Sequence, residues 1–279
     1  MITALKGHGT ENDFVLLPDL EAVLSLSPSL VRALCDRHAG IGGDGVLRVV
    51  RTALATEPDV RAQAGTAEYF MDYHNADGSI AEMCGNGVRV FGRYLQQAGL
   101  IDGPTRIATR GGPRSISFDG DSVAVGMGQA RPLDVRATVR CGEFGPWPAQ
   151  ALELPNPHLV VELDSEAELA ALDLSTPPLA EPGLPDGQNV EFFVRTGQHR
   201  VRMRVHERGV GETRSCGTGI CAVVAAAAGS SAGTGRWQVE VPGGRCEVWW
   251  TSDGELVLSG PAVLVANLTI AEDWLLAHR

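Results

Sequence analysis

The sequence predicts an α/β chain of two similar halves, each a largely antiparallel sheet curled around one central helix. Three observations carry that expectation. First, Met83-Cys84-Gly85-Asn86-Gly87 and Ser215-Cys216-Gly217-Thr218-Gly219 repeat one frame, and each opens an apolar stretch of helical character. Second, the spacings around the frames match. Asn12 stands 33 residues before Gly45, as Asn156 does before Asn189, and nine residues separate both Asn75 from Cys84 and Glu207 from Cys216. Met71 and His74 share their offsets with Met203 and His206. Third, 34 glycines suit the many tight turns of a strand-rich chain. The single mismatch, 39 residues from Gly45 to Cys84 against 27 from Asn189 to Cys216, is absorbed by an insertion of twelve residues over Leu54 to Gly65. A duplication is the simplest source of such a pattern. A chain of 279 residues has room for two domains of ordinary size. The expected division is 1–119, carrying Cys84, and 120–264, carrying Cys216.

Taken in order, Ile2 to Lys6 and Asp13 to Leu17 read as short strands around a Gly-rich turn. Ser27-Pro28 opens a helix, serine being a good N-cap and proline a good first helical residue. Leu30, Leu34 and Cys35 form its apolar face, and Gly40 is its expected end. Val46 to Val50 and Tyr69 to Tyr73 read as strands. The helix after Cys84 places Val88, Phe91 and Leu95 on one side and ends near Gly99. Arg106 to Thr109 and Arg114 to Phe118 are strands, and Asp119-Gly120 is a hairpin signal before Val123. In the second half, Leu159 to Leu163 is a strand and Ser165-Glu-Ala-Glu168 fits a capping box. Thr176 to Gly187 is a Pro- and Gly-rich loop. Asn189 to Arg195 and Arg200 to His206 alternate like half-exposed strands. Ile220 to Ala228 is small and apolar on every face, so that helix belongs at the centre of its half. Hairpins near Gly243-Gly244 and Asp253-Gly254 and a helix over Glu272 to Ala277 close the chain. The expected order in each half is β-β-α-β-β-α-β-β.

Composition narrows the function. A net charge of −11 argues against nucleic acid as a partner and against an anionic membrane surface. No apolar run approaches the roughly 20 residues needed to span a bilayer. Met-Ile-Thr-Ala-Leu-Lys-Gly-His lacks a charged stretch followed by an apolar one, so no secretory signal is expected, and a cytoplasmic setting with reduced thiols follows. None of the six cysteines forms a Cys-x-x-Cys pair, so zinc-ribbon spacing is absent and no metal is expected. Lys6 is the only lysine among 23 Lys and Arg residues and sits on an amino-terminal strand. A pyridoxal-phosphate enzyme needs a Schiff-base lysine, so no cofactor is expected.

Asn75-Ala-Asp-Gly-Ser followed by Met83-Cys84-Gly-Asn-Gly resembles the first signature of the diaminopimelate epimerases. Glu207-Arg-Gly-Val-Gly-Glu-Thr-Arg-Ser-Cys216-Gly-Thr-Gly resembles the second. Gly7-His-Gly-Thr-Glu-Asn-Asp-Phe and Asn156-Pro-His also match the family's pattern, and the likeness runs from end to end. Many members carry glutamine where Gly45 stands, so no side-chain contact carries over at that position. The resemblance implies two lobes facing across a cleft, a carboxy-terminal segment (265–279) that returns to the first lobe, a homodimer, and conversion of LL-2,6-diaminopimelate to the meso form in lysine and peptidoglycan-precursor biosynthesis. It names Cys84 as proton donor and Cys216 as proton acceptor in that direction. It also implies that Arg208 binds the distal carboxylate, that Asn12, Asn75, Asn156 and Asn189 read the distal amino-acid end, that Glu207 receives the α-ammonium, and that His158 supports the site.

The residue types suit that chemistry independently. Inverting an α-carbon requires a base on one face and an acid on the other, and two thiols in matched frames supply both. A free thiol has a pKa of about 8.5, and a helix amino terminus favours its anion. The amides of Gly85, Asn86, Gly217 and Thr218 at those helix starts can also hold a carboxylate. Three alternatives remain on sequence grounds. One is the same fold with other chemistry, as in phenazine-pathway isomerases or proline racemases. The second is a thiol hydrolase, which needs a His directed at one Cys and leaves the second frame unused. The third is a redox-switch binding module. Cys35, Cys221 and Cys246 read as buried small hydrophobes, and His74 and His206 as scaffold.

Overall fold

One strand plan is used twice. The chain, described over residues 2–229 and 233–278 by a computed structural model, forms two compact units. One holds the chain up to Val125 together with the stretch from Pro261 onward, and the other is Gly126–Gly260. The first contains β1 (Ile2–Gly9), β2 (Asn12–Pro18), β3 (Gly45–Arg51), β4 (Tyr69–Asn75), β5 (Thr105–Ala108), β6 (Arg114–Asp119), β7 (Ser122–Gly128) and the late strand β18 (Val263–Ile270). They pair in the order β18, β1, β2, β3, β4, β5, β6, β7, and every pair is antiparallel except β2 with β3 and β4 with β5. The second contains β8 (Arg131–Cys141), β9 (Phe144–Leu154), β10 (Asn156–Glu162), β12 (Asn189–Gly197), β13 (Arg200–Glu207), β15 (Trp237–Val241), β16 (Gly244–Trp250) and β17 (Leu256–Pro261). These pair in that order with the same senses, the parallel steps being β10 with β12 and β13 with β15. Two short strands, β11 (Leu179–Glu181) and β14 (Gly211–Thr213), add to β8 and β13.

The repeated 33-residue spacing is the parallel step. Phe14 pairs with Gly45 in one unit and His158 with Asn189 in the other. The next, antiparallel step places Asn75 opposite Gly45, and the Val190–His206 pairing brings Glu207 opposite Asn189. The twelve-residue insertion forms a helical excursion, with 3-10 turns at Thr52–Leu54 and Ala62–Gly65 around the short helix α2 (Pro58–Arg61). In the second unit, β12 and β13 are joined by a tight turn in which His199 takes φ 53°. The extra residues therefore lie outside the paired register.

Each unit is built around one helix. α3 (Gly85–Gln97) lies against β1, β2, β3, β4, β6 and β18, and α5 (Gly217–Ala228) against β9, β10, β12, β13, β15 and β16. Every residue of α5 except Ala225 is buried, as its apolar circumference requires. Its small Ala, Gly and Val residues let strands approach it from several sides. On α3, Val88, Phe91 and Leu95 are fully buried. Each such side chain contributes on the order of 1.5–3 kcal/mol.

Some elements differ from the sequence expectation. Ser27 caps α1 (Pro28–Cys35), its hydroxyl accepting from Leu30 N–H at 3.1 Å, but the helix stops before Gly40. Asp36 leaves the helical region at ψ 124°, and its carboxylate takes the amides of His38 and Ala39 at 2.7 and 2.6 Å. Such local side-chain bonding competes with helix continuation. Ser165 caps α4 (Glu166–Ala171), while Glu168 reaches Asp164 N–H instead of the cap residue itself. β8 and β9 were not expected. Pro132, Pro146 and Pro148 argue against strands, and β8 alternates between buried and exposed positions only near its end. α6 (Glu272–His278) closes the chain after β18. Among the described residues no helix is long and apolar enough to cross a membrane.

Candidate active site

Cys84 occupies the N-cap of α3 in extended conformation, φ −140° and ψ 117°, and is half-buried. Its Sγ accepts the Gly87 N–H at 3.4 Å. A helix start supplies such unpaired donors, which favour a sulfur that can carry negative charge. Asn12 Oδ1 lies 3.6 Å from the sulfur and accepts from Asn86 Nδ2 at 3.2 Å. The amide of Asn12 is oriented by Asp44, whose carboxylate takes Asn12 Nδ2 at 2.7 Å. With its nitrogen thus engaged, Asn12 turns a carbonyl oxygen toward Cys84 and can accept the S–H.

Asp44 belongs to a charge cluster with Arg37, Asp13 and Lys6. Arg37 bonds both carboxylates at 2.8 Å, and Lys6 is held by Asp13 and the Gly42 carbonyl. Burial would raise the Asp13 carboxyl, but Arg37 and Lys6 hold it at about 2. Asp44 is raised by burial, against the hydrogen bond from Asn12. On the other side, fully buried Arg89 donates to Asn86 Oδ1, to Thr10 Oγ1 at 3.0 Å and to the Pro261 carbonyl at 3.1 Å. Asn75 ends β4, half-buried, its Nδ2 donating to Ser79 Oγ at 3.0 Å. Opposite it, a Cβ on Gly45 would stand 2.5 Å from the His74 carbonyl and 2.6 Å from the Tyr73 ring. No glutamine fits there without moving β4.

Cys216 occupies the N-cap position of α5 with similar backbone angles, φ −118° and ψ 115°, but without the side-chain capping bond that Cys84 makes, and it is 6% exposed. Thr218 Oγ1 lies 3.4 Å from its Sγ. Asn189 Oδ1 accepts the Arg208 N–H at 2.9 Å, so its Nδ2 faces the sulfur at 4.0 Å. The two asparagines thus turn opposite ends of their amides to the two cysteines. Half-buried Glu207 accepts from the Thr213 hydroxyl, and exposed Arg208 donates to the Asp186 carbonyl. His158 is fully buried, with Nδ1 2.7 Å from Glu191 Oε1 and Nε2 3.0 Å from Asn156 Oδ1. In the first unit, therefore, Cys84, Asn12 and Asn86 come together, while Asn75 bonds elsewhere. In the second, Cys216 gathers Asn189 and Thr218, and His158 gathers Asn156.

Burial pushes the Cys216 thiol well above its ordinary range. Glu207 and Glu191 add to the rise, and Thr218 and the Gly219 amide oppose it. A thiol shifted this way is protonated at neutral pH. Alkylation of Cys216 in the ligand-free protein is expected to accelerate only at alkaline pH, because the thiolate is the nucleophile. Glu207→Gln removes one of the charges and should move that acceleration toward neutral pH. Mass-spectrometric modification rates from about pH 6 to about pH 11 check this, and an unshifted profile in the variant contradicts the role given to Glu207.

Two participants lie outside every sequence motif. Asp44 orients Asn12, and Glu191 holds His158. Strand alternation carried a signal for Glu191, since it shares a strand face with Asn189 and is charged where an inward side chain should be apolar. Asp44 offered none beyond its place beside Gly45. His74 bonds Asp72 at 2.9 Å and His206 bonds the Leu174 carbonyl at 3.0 Å, both as scaffold.

A doubled eight-strand plan, each half built around one central helix, is a fold that recurs among solved structures of low sequence identity. The whole chain superposes on a probable proline racemase from Agrobacterium radiobacter K84 with a TM-score of 0.70 at 14% identity, covering 98% of this chain and 94% of that one. The sequence is far closer to another group. It is 51% identical to the diaminopimelate epimerase of Streptomyces coelicolor (98% of this chain, 97% of the relative) and 51% identical to that of Thermobifida fusca (94% and 95%). Residues 4–133 and 151–265 match the family pattern described as diaminopimelate epimerase. This chain belongs to the diaminopimelate epimerase family.

Proposed function

We propose that this protein interconverts LL- and meso-2,6-diaminopimelate without a cofactor, with Cys84 and Cys216 acting on opposite faces of one α-carbon. The observation that carries this is the matched pair of cysteines, each the N-cap of the buried central helix of its unit, in a chain of this family. On this reading the two units are the pseudo-symmetric lobes of residues 1–119 and 120–264, with 265–279 returning to the first, and the substrate lies in a cleft between them. A homodimer in a reducing cytoplasm, in lysine and peptidoglycan-precursor synthesis, completes it.

The chemistry follows from the local environments. The Asn12 carbonyl suits a protonated Cys84, the proton donor. Cys216 must become a thiolate, and Asn189 turns an N–H₂ toward it. Burial and the charges of Glu207 and Glu191 resist that ionisation until a cation arrives. An α-ammonium received by Glu207 supplies that cation, so substrate binding drives the Cys216 proton to solvent and creates the base. The α-carboxylate rests on the amides of Gly85, Asn86, Gly217 and Thr218 and spreads the charge that builds on the α-carbon. The exposed Arg208 fork pairs with the distal carboxylate. Asn12, Asn75, Asn156 and Asn189 read the distal end, with His158 orienting Asn156.

Incubation with LL-diaminopimelate in D₂O is expected to yield meso product carrying deuterium at the inverted α-carbon. Mass spectrometry with chiral separation reads both. Absence of exchange and of inversion would reject the activity.

A further inference from the structure

We propose that Glu191 is a positioning residue for the epimerisation, holding the His158 ring and, through it, Asn156; the inference rests on the function proposed above. The argument begins with the duplication. Asn189 occupies the register of Gly45, and His158 that of Phe14. Two residues further along each strand, Glu191 occupies the place of Leu47. The first unit fills the two places with Phe14 and Leu47, both fully buried. The second fills them with His158 and Glu191, equally buried. The frame is thus built once with an apolar pair and needs no charge for folding. A buried ion pair is at best about neutral against well-packed apolar residues. Its presence in one half only therefore asks for a role other than stability.

The surrounding atoms are arranged to keep the carboxylate in place. A Cβ on Gly219 would stand 2.6 Å from Glu191 Oε1, so the second glycine of the Cys216 frame leaves room for that oxygen. The corresponding Gly87 faces Leu47 Cδ2 at 3.2 Å. Glu191 Oε2 has no hydrogen-bond partner among the described residues, a costly condition for a buried carboxylate oxygen. With Nδ1 2.7 Å from Glu191 Oε1 and Nε2 3.0 Å from Asn156 Oδ1, both ring nitrogens are engaged and the ring is held at both ends. The other ionisable groups facing Glu191 are Cys216 and, through the field at Cys216, Glu207. Glu191 thus fixes the orientation of the ring that presents Asn156 to the distal end of the substrate.

Glu191→Gln keeps the shape and removes the charge. It is expected to lower kcat about 10- to 100-fold, with KM within about threefold. The ¹⁵N resonances of the His158 ring, Nδ1 above all, are expected to shift once the carboxylate that Nδ1 meets is gone. Unchanged kcat and unchanged ring resonances would overturn the proposal. The double variant His158→Phe, Glu191→Leu rebuilds the pair of the first unit. It should melt at or above the wild-type temperature yet turn over slowly, whereas a folded double variant with wild-type kcat also overturns the role. Wild-type protein runs in the same assay. If it fails to exchange the α-proton, the proposed activity fails, and not the assignment of Glu191.

Discussion

Cys84→Ser and Cys216→Ser, made singly, are each expected to slow epimerisation of LL-diaminopimelate by about 10²- to 10⁴-fold, the range ascribed to one positioned acid or base. Serine preserves the size and the N-cap role of the cysteine, so the fold should survive. What changes is acidity, because a hydroxyl neither ionises near neutral pH nor readily gives up its proton. The two variants should fail differently. With Cys84 replaced, Cys216 can still remove the α-proton and return solvent deuterium to the same face. LL substrate should then exchange without inverting. With Cys216 replaced, the same substrate loses its base and should neither exchange nor invert. Deuterium content measured separately in LL and meso fractions distinguishes the two. Equal, near-wild-type turnover in both variants would refute a two-thiol mechanism.

Arg89→Met is expected to cost about 3 kcal/mol or more of stability and to lower the melting temperature by roughly 6–12 °C. Arg89 is fully buried on α3, one helical turn beyond Asn86. Its guanidinium joins three separate segments, bonding Asn86 Oδ1, Thr10 Oγ1 and the Pro261 carbonyl. Methionine fills much of the volume but leaves those oxygens without that donor. The loss should also reach the site, since Asn86 in turn bonds Asn12 beside Cys84. Calorimetry and the D₂O assay should therefore show lower stability and lower activity together. A variant with wild-type melting temperature would show that Arg89 does not hold these segments.

The legible parts of the chain were those in which spacing maps directly onto backbone geometry. The 33-residue interval was visible because it joins adjacent parallel strands in both units, and duplication copied the interval with the strands. The two Cys-Gly-x-Gly frames were visible because a helix start constrains several consecutive residues. α5 was visible because a helix apolar on every face has no exposed side. β8 and β9 were hidden by prolines and by long exposed stretches, for which no local pattern substitutes. The end of α1 was misplaced because Asp36 satisfies nearby amides with its own side chain, a competition that composition does not reveal. Glu191 passed as one more residue of an alternating strand, and Asp44 as one more acid before a glycine.

The sequence by itself determined that there are two repeats, that each carries a cysteine at a helix start, and that the chain resembles the diaminopimelate epimerases. These are matters of residue identity and interval along one chain. Only the tertiary structure decided that the two cysteines are unlike. Asn12 turns its oxygen to Cys84 because Asp44 holds its nitrogen, and Asn189 turns its nitrogen to Cys216 because the Arg208 amide holds its oxygen. Burial and two carboxylates then keep Cys216 protonated. Protonation and amide orientation depend on neighbours brought in from distant strands, and equal motifs become chemically unequal through what folding packs beside them.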